Sequence, residues 1–159
     1  EVVKMIKKIS LIVLDIDGVL TNGKVIIDDH DREYKAINYR DLDSINYLRK
    51  KGIEFALLTG EDTNFVDIIA RKFKIKNVIK GAKDKVTGVL RLSKVTGIPV
   101  KKICYIGDSD RDAEALKFAG ISFVPKDATK KAKKVASHVL NLKGGEGIIQ
   151  EISGYFGCR

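Results

Sequence analysis

Two aspartates one residue apart, Asp15 and Asp17, interrupt the otherwise apolar run from Ile9 to Leu20, and Gly18-Val19-Leu20-Thr21 follows them. In extended chain, positions i and i+2 project the same way, so Asp15 and Asp17 face one site while Ile16 turns to the core. A second acidic run, Gly107-Asp108-Ser109-Asp110-Arg111-Asp112, closes the apolar stretch Ile103-Cys104-Tyr105-Ile106. Carboxylates gathered from two such runs repel one another without a cation, and a hard ion with oxygen ligands, such as Mg²⁺, is the natural remedy. Thr59-Gly60 ends another apolar run and offers a hydroxyl and a permissive amide suited to phosphate oxygens. Lys85 opens a helix-length segment, where it supplies a fixed positive charge.

These residues meet only if the elements that carry them end at one place. Five short runs rich in Ile and Val read as strands: Ile9–Asp15, Ile53–Thr59, Asn77–Ile79, Ile103–Gly107 and Ile121–Val124. Each is apolar at successive positions, as parallel strands buried on both faces are. Helix-length segments lie between them: Leu42–Lys51, Thr63–Phe73, Lys83–Thr96 and Asp110–Ala119. The alternation predicts an α/β fold, a Rossmann-like open parallel sheet with helices on both faces and right-handed crossovers. Ligands of such sheets bind beyond the carboxyl ends of the strands, where all of the residues above fall. Gly23–Tyr39 breaks the alternation. Its two β-leaning arms around a polar Asp28–Asp31 turn predict a hairpin inserted after the first strand. With no internal repeat and no linker, residues 1–159 read as a single domain with a glycine-rich tail from about residue 143.

Composition narrows the function classes. Hydrophobic residues make up 44% and charged residues 32% of the 159, which is globular and argues against disorder. No stretch has the uncharged apolar length of a membrane span, and the basic start, Glu1 to Lys8, leads to no cleavage signal. A soluble, cytoplasmic protein with no membrane partner is the expectation. Cys104 and Cys158 are too few for a disulfide framework; Cys104 reads as a buried thiol and Cys158 receives no role. The formal charge of +9 invites a nucleic-acid reading, but the densest basic run, Lys126–Lys134, has no clustered aromatics beside it, so no nucleic-acid partner is expected. A phosphorelay receiver would end its third strand in an acceptor aspartate, whereas here that strand runs into Lys80-Gly81-Ala82. Neither His30 nor His138 has a partner at ligand spacing.

The set resembles the haloacid dehalogenase superfamily of phosphohydrolases over nearly the whole chain. The family's first motif, Asp-x-Asp-Gly, matches Asp15 to Thr21; its second-motif hydroxyl matches Thr59, its third-motif lysine Lys85, and its Gly-Asp-x-x-x-Asp motif Gly107 through Asp112. The resemblance implies a nucleophilic Asp15 that forms an aspartyl-phosphate and a general acid and base in Asp17. It implies Mg²⁺ held by Asp15, Asp108 and the backbone carbonyl of Asp17, with Lys85 and Thr59 on the phosphoryl oxygens and Asp112 positioning Lys85 or a metal-bound water.

The gaps between motifs are too short for a cap domain, so the chain looks like a capless member whose site takes walls from neighbouring subunits. Within that branch, Asp15 to Gly23, Lys35 to Asp41 and Gly144 to Glu151 resemble the phosphatases of eight- and nine-carbon keto-deoxy sugar acid phosphates. By resemblance, a homotetramer built by the hairpins is expected, with the tail reaching an adjoining active site. The substrate implied is 3-deoxy-D-manno-octulosonate 8-phosphate, with Arg40-Asp41 on its side. The alternative is 2-keto-3-deoxynonulosonate 9-phosphate, favoured by a Glu61 and Lys72 pair near the substrate. Ser109 stands where many relatives have a second Asp, which makes Asp108 the firmer ligand. A catalytically silent oligomerisation module is the rival of another class, and it sits poorly with the retained Asp15.

Overall fold

Four consecutive apolar residues, Leu11–Leu14, form strand β1, and all of them are buried. Side chains alternate across a strand, so Leu11 and Val13 join one apolar cluster while Ile12 and Leu14 join another. A strand with two buried faces needs helices on both sides. The computed structural model, which describes residues 1–157, has that architecture. Cys158, to which the sequence assigns no role, lies outside the described residues.

β1 pairs in parallel with β4 (Glu54–Leu58) on one side and β6 (Ile103–Ile106) on the other. β5 (Asn77–Ile79), β7 (Ile121–Val124) and β8 (His138–Val139) complete a six-stranded parallel sheet in the order β5-β4-β1-β6-β7-β8. Helices α1 (Val2–Ile6), α2 (Tyr39–Lys50), α3 (Asn64–Lys72) and α7 (Ile148–Tyr155) cover the face that carries Ile12, Leu14 and Leu57. Helices α4 (Lys85–Thr96), α5 (Ala113–Phe118) and α6 (Lys130–Val135) cover the face that carries Val13 and Leu58. Each wholly buried Leu or Ile in these layers contributes about 1.5–3 kcal/mol relative to exposure.

The five expected strands are present and their interiors agree. Each of β1, β4 and β6 stops one residue short, so that Asp15, Thr59 and Gly107 stand just beyond a strand end rather than within it. The expected helix from Asp110 starts as a tight 3-10 turn, Asp110–Asp112, because the Asp112 carboxylate accepts the Asp108 and Ser109 N–H groups at 3.0 Å. Helix α4 starts where Asp84 accepts the N–H groups of Val86 and Thr87, and it ends at left-handed Gly97. The two-residue edge strand β8 and helix α1 were not expected.

The inserted hairpin is shorter than its Gly23–Tyr39 span. Only β2 (Ile26–Ile27) and β3 (Glu33–Tyr34) pair, around Asp28, whose side chain accepts the His30 and Arg32 N–H groups. The exit arm then runs to Asn38, which caps α2 by accepting the Arg40 N–H. Nothing larger than this hairpin separates β1 from α2, and only α3 separates β4 from β5, so the described residues hold no cap domain. From β1 the chain works outward to β4 and β5, then crosses back to β6. That makes the carboxyl ends of β1 and β6 the topological switch point, where a crevice opens.

Candidate active site

At that switch point lies a cleft of about 640 Å³, lined by Asp15, Asp17, Thr59, Gly60, Glu61, Lys85, Asp108 and Ser109, with Asp110, Arg111 and Thr129 at its edge. Asp15 leaves the end of β1 with its Oδ1 accepting the Ile16 N–H at 2.8 Å, and its Oδ2 lies 3.1 Å from Lys85 Nζ. The Lys85 ammonium is buried, and its other partners are Asp112 Oδ1 at 3.2 Å, the Leu58 carbonyl at 3.3 Å and the Tyr105 hydroxyl at 3.5 Å. Tyr105 in turn donates to Asp112 Oδ1 at 2.6 Å.

The carboxylates respond differently to this setting. Burial pushes Asp15 up to about 6, with the Asp112 charge adding to it and Lys85 opposing. Asp108 is pushed up to about 7 by burial and then by the charges of Asp15, Asp112 and Asp127. Burial acts on Asp112 too, but Lys85, the Tyr105 hydroxyl and the Ser109 and Asp108 N–H groups outweigh it and hold the group below its ordinary value.

Carboxylate oxygens of Asp15, Asp108 and Asp112 come within 4.8 Å of one another. Both oxygens of Asp112 are already taken: Oδ1 by Lys85 and Tyr105, Oδ2 by the Asp108 and Ser109 N–H groups and the Ser109 hydroxyl. Asp15 carries a single partner on each oxygen, the Ile16 N–H on Oδ1 and Lys85 on Oδ2, so the spare lone pairs in this group belong to Asp15 and Asp108. An all-oxygen pair that resists losing its protons, buried beside a single lysine, fits a hard divalent cation.

Gly18 is part of this geometry. Its φ is +77°, and a Cβ there would collide with the Asp108 carboxylate, so only glycine lets the first-motif turn approach β6 so closely. The same turn is tied by Thr21, whose hydroxyl accepts the Gly18 and Gly23 N–H groups and donates to Asp17 Oδ1 at 3.2 Å. Thr59, just past β4, accepts the Glu61 N–H at 3.1 Å, which leaves its own proton to donate into the cleft.

Three residues escaped the sequence reading. Lys35 reaches from the hairpin's exit arm to Asp17 Oδ2 at 3.0 Å and to Glu61 Oε2 at 2.8 Å. Burial alone would depress the Lys35 ammonium and raise Asp17; their pairing, with Glu61 alongside, reverses both. Tyr105 reads in sequence as one more apolar position of its strand, although a phenol in a wholly buried run is itself a sign of a buried polar partner. Arg111, at the edge of the cleft, stood inside a motif read only for its carboxylates.

Two expected residues, Lys72 and Arg40, are not brought to the cleft within one chain. Glu61 and Lys72 do not pair: Glu61 is bound by Lys35 and Thr63, while the Lys72 ammonium lies 5.3 Å from the centre of the Tyr39 ring. Arg40 lines a neighbouring recess with Asn22, Asn38 and Gly145. The glycine-rich tail, expected to reach an adjoining site, packs on its own chain as far as it is described. Gly145 donates to the Val19 carbonyl at 3.1 Å, Gly144 donates to Asp127, and α7 lies on α2. Glycine is needed at 144 because a Cβ would run into the Gly18 carbonyl.

The sequence family described as haloacid dehalogenase-like hydrolase matches residues 63–152. The curated 3-deoxy-D-manno-octulosonate 8-phosphate phosphatase of Haemophilus influenzae is 32% identical over 148 residues, which are 93% of this chain and 82% of that protein. The Escherichia coli K12 enzyme of the same name is 28% identical over 152 residues, 96% of this chain and 81% of that protein. Among solved structures, the Moraxella catarrhalis octulosonate 8-phosphate phosphatase, in complex with magnesium, phosphate and its sugar acid, superposes with a TM-score of 0.91 at 30% identity, over 96% of this chain and 87% of that one. The cobalt-bound Haemophilus influenzae structure gives 0.89 at 32% identity, over 94% and 87%. On this similarity and these motifs, the chain belongs to the haloacid dehalogenase-like hydrolases.

Proposed function

We propose that this protein is a Mg²⁺-dependent phosphatase of 3-deoxy-D-manno-octulosonate 8-phosphate. The observation that carries it is the convergence of Asp15, Asp17, Thr59, Lys85 and Asp108 on one cleft, in a chain whose relatives of like length bear that activity. Asp15 attacks phosphorus, the bond to the sugar oxygen breaks, and Asp17 gives that oxygen its proton. Water then attacks the aspartyl-phosphate, Asp17 takes the proton back, and inorganic phosphate leaves with Asp15 restored. Lys85, held by Asp112 and Tyr105, and the Thr59 hydroxyl bind the phosphoryl oxygens. Asp15, Asp108 and the carbonyl of Asp17 would hold Mg²⁺, which supplies charge neutralisation between the nucleophile and the phosphate dianion.

The eight-carbon ester is preferred because the Glu61 and Lys72 pair that argued for the nine-carbon one is not assembled in the chain. Retention of the whole constellation speaks against a silent oligomerisation module. We take the working form to be a homotetramer, since the cleft has no cap and the hairpin exposes Ile26 and Ile27. We take the enzyme to be cytoplasmic, because a phosphorylated sugar acid stays in the compartment where it is made.

The test is phosphate release, with Mg²⁺, from the octulosonate 8-phosphate and the nonulosonate 9-phosphate beside the Asp15→Asn variant. The expected result is strong preference for the first ester and none released by the variant. Preference for the second moves the assignment to the nine-carbon reaction, and no release above the variant from either refutes the phosphatase.

A further inference from the structure

The side chain of Lys35 is only 6% exposed, yet it comes from the arm of a solvent-facing hairpin. Burying an ammonium is costly unless each proton finds a partner. Lys35 finds its partners in Asp17 Oδ2 at 3.0 Å and in Glu61 Oε1 and Oε2 at 2.9 and 2.8 Å. The Phe65 ring lies 4.9 Å from Nζ and closes off the apolar side. Glu61 is itself fixed by the Thr63 hydroxyl at 2.9 Å. Asp17 is thus gripped at both oxygens, Oδ1 by Thr21 and Oδ2 by Lys35. Thr21 belongs to the first-motif turn, whereas Lys35 belongs to the hairpin.

We propose that Lys35 is a positioning residue, which holds the Asp17 carboxylate in place to take a proton from the water that cleaves the aspartyl-phosphate. The inference rests on the phosphatase reading and adds to it that the inserted hairpin, besides any role between subunits, completes the acid-base apparatus of its own chain. In this step the bond from water oxygen to phosphorus forms and the Asp15–phosphorus bond breaks with its electron pair returning to Asp15. The water proton goes to Asp17. Lys35 keeps all its protons throughout. Glu61, doubly bound to Lys35, acts as its anchor and not as a reader of the substrate.

An ester with a good leaving group isolates this step. p-Nitrophenolate departs without a proton, so with p-nitrophenyl phosphate Asp17 is needed only after the covalent intermediate has formed. Lys35→Met is expected to lower kcat about 10- to 100-fold, part of the roughly 10²–10⁴-fold that a well-placed general base contributes, because Asp17 is displaced and not lost. kcat/KM, which reports only the first step, should stay within about threefold of wild type. The variant should also show a pre-steady-state burst of p-nitrophenol, equal to one per active site, as the aspartyl-phosphate accumulates. Lys35→Arg keeps a charged fork within reach of both carboxylates and should recover much of kcat.

If Lys35→Met is too unstable to measure, Lys35→Met with Glu61→Gln removes the unpaired buried charge and should show the same burst. A merely structural role predicts kcat and kcat/KM falling together without a burst, and that result, or an unchanged kcat, overturns the proposal. A wild-type enzyme that releases no p-nitrophenol with Mg²⁺ takes down the phosphatase reading, and this inference with it.

Discussion

Asp41 shows how one buried carboxyl can govern the pH response of the whole fold. It is fully buried on α2; Oδ1 accepts the Ile149 N–H at the start of α7, and Oδ2 has no partner among the described residues. Burial pushes it up to about 7, with only the Ile149 bond opposing. Because the folded value lies above the unfolded one, the folded state holds the extra proton. Its stability contribution is full below the unfolded value near 4 and is lost as pH rises through 7. Asp41→Asn keeps an acceptor for Ile149 and removes the charge. Its melting temperature should exceed that of wild type at pH 8, by roughly 1–3 kcal/mol in stability, and the gap should close toward pH 4. A difference independent of pH would disprove this account. Asp15 and Asp108 titrate in the same direction, up to about 6 and about 7, and a cation must displace those protons. Mg²⁺ should therefore bind about 10- to 100-fold more tightly at pH 7.5 than at pH 5.5, with proton release visible by calorimetry in buffers of different ionisation heat. Equal affinity at both pH values would remove Asp15 and Asp108 as the ligands.

At the scale of elements, the strand ends were legible and the arms between them were not. A strand buried on both faces leaves an unbroken apolar run, and the first polar residue after it marks the carboxyl edge of the sheet. That is why Asp15, Thr59 and Asp108 could be placed in the cleft from sequence. Lys35 could not, because its partners stand 18 and 26 residues away and no local pattern marks a lysine that folds back. The two-residue β8 is too short to show alternation, and Glu61 and Lys72 stand close in sequence without meeting in space. The tail's Gly144-Gly145 pair makes a tight contact on the first-motif turn that carries Asp17. Gly144→Ala, which drives a methyl into the Gly18 carbonyl, should cost about 1–3 kcal/mol by thermal denaturation and lower turnover as the turn is displaced. A variant with unchanged melting and turnover would mean that the tail does not brace the turn.

Charge and exposed apolar surface are arranged over the whole molecule in ways the linear order conceals. The basic excess runs along the chain, but lysine pairs precede β1, β4 and β6 at Lys7-Lys8, Lys50-Lys51 and Lys101-Lys102, while the aspartates cluster beyond their carboxyl ends. Much of the +9 thus sits at the end of the sheet opposite the cleft. The most exposed large aliphatic side chain among the described residues lies elsewhere, on the hairpin, where Ile26 and Ile27 are 70% and 61% exposed with Val25 and Tyr34 beside them. A two-stranded ribbon is at best marginal in water on its own, and one that exposes apolar side chains on both faces, Ile26 with Tyr34 on one and Val25 with Ile27 on the other, signals an interface. If hairpins of neighbouring subunits bury these side chains, Ile26→Ser with Ile27→Ser should reduce the proposed tetramer to smaller species by sedimentation at micromolar protein. Both positions lie outside the cleft, so the residues at the strand ends should stay in place, whereas Lys35 ties the hairpin to Asp17. Loosening the hairpin is therefore expected to lower kcat as well as mass, and mass restored at high protein concentration should restore turnover with it. A variant that keeps the wild-type mass would show that the hairpin is not the interface. One that dissociates with turnover intact would show that a lone chain needs no neighbour to hold its hairpin, and so its acid-base group, in place.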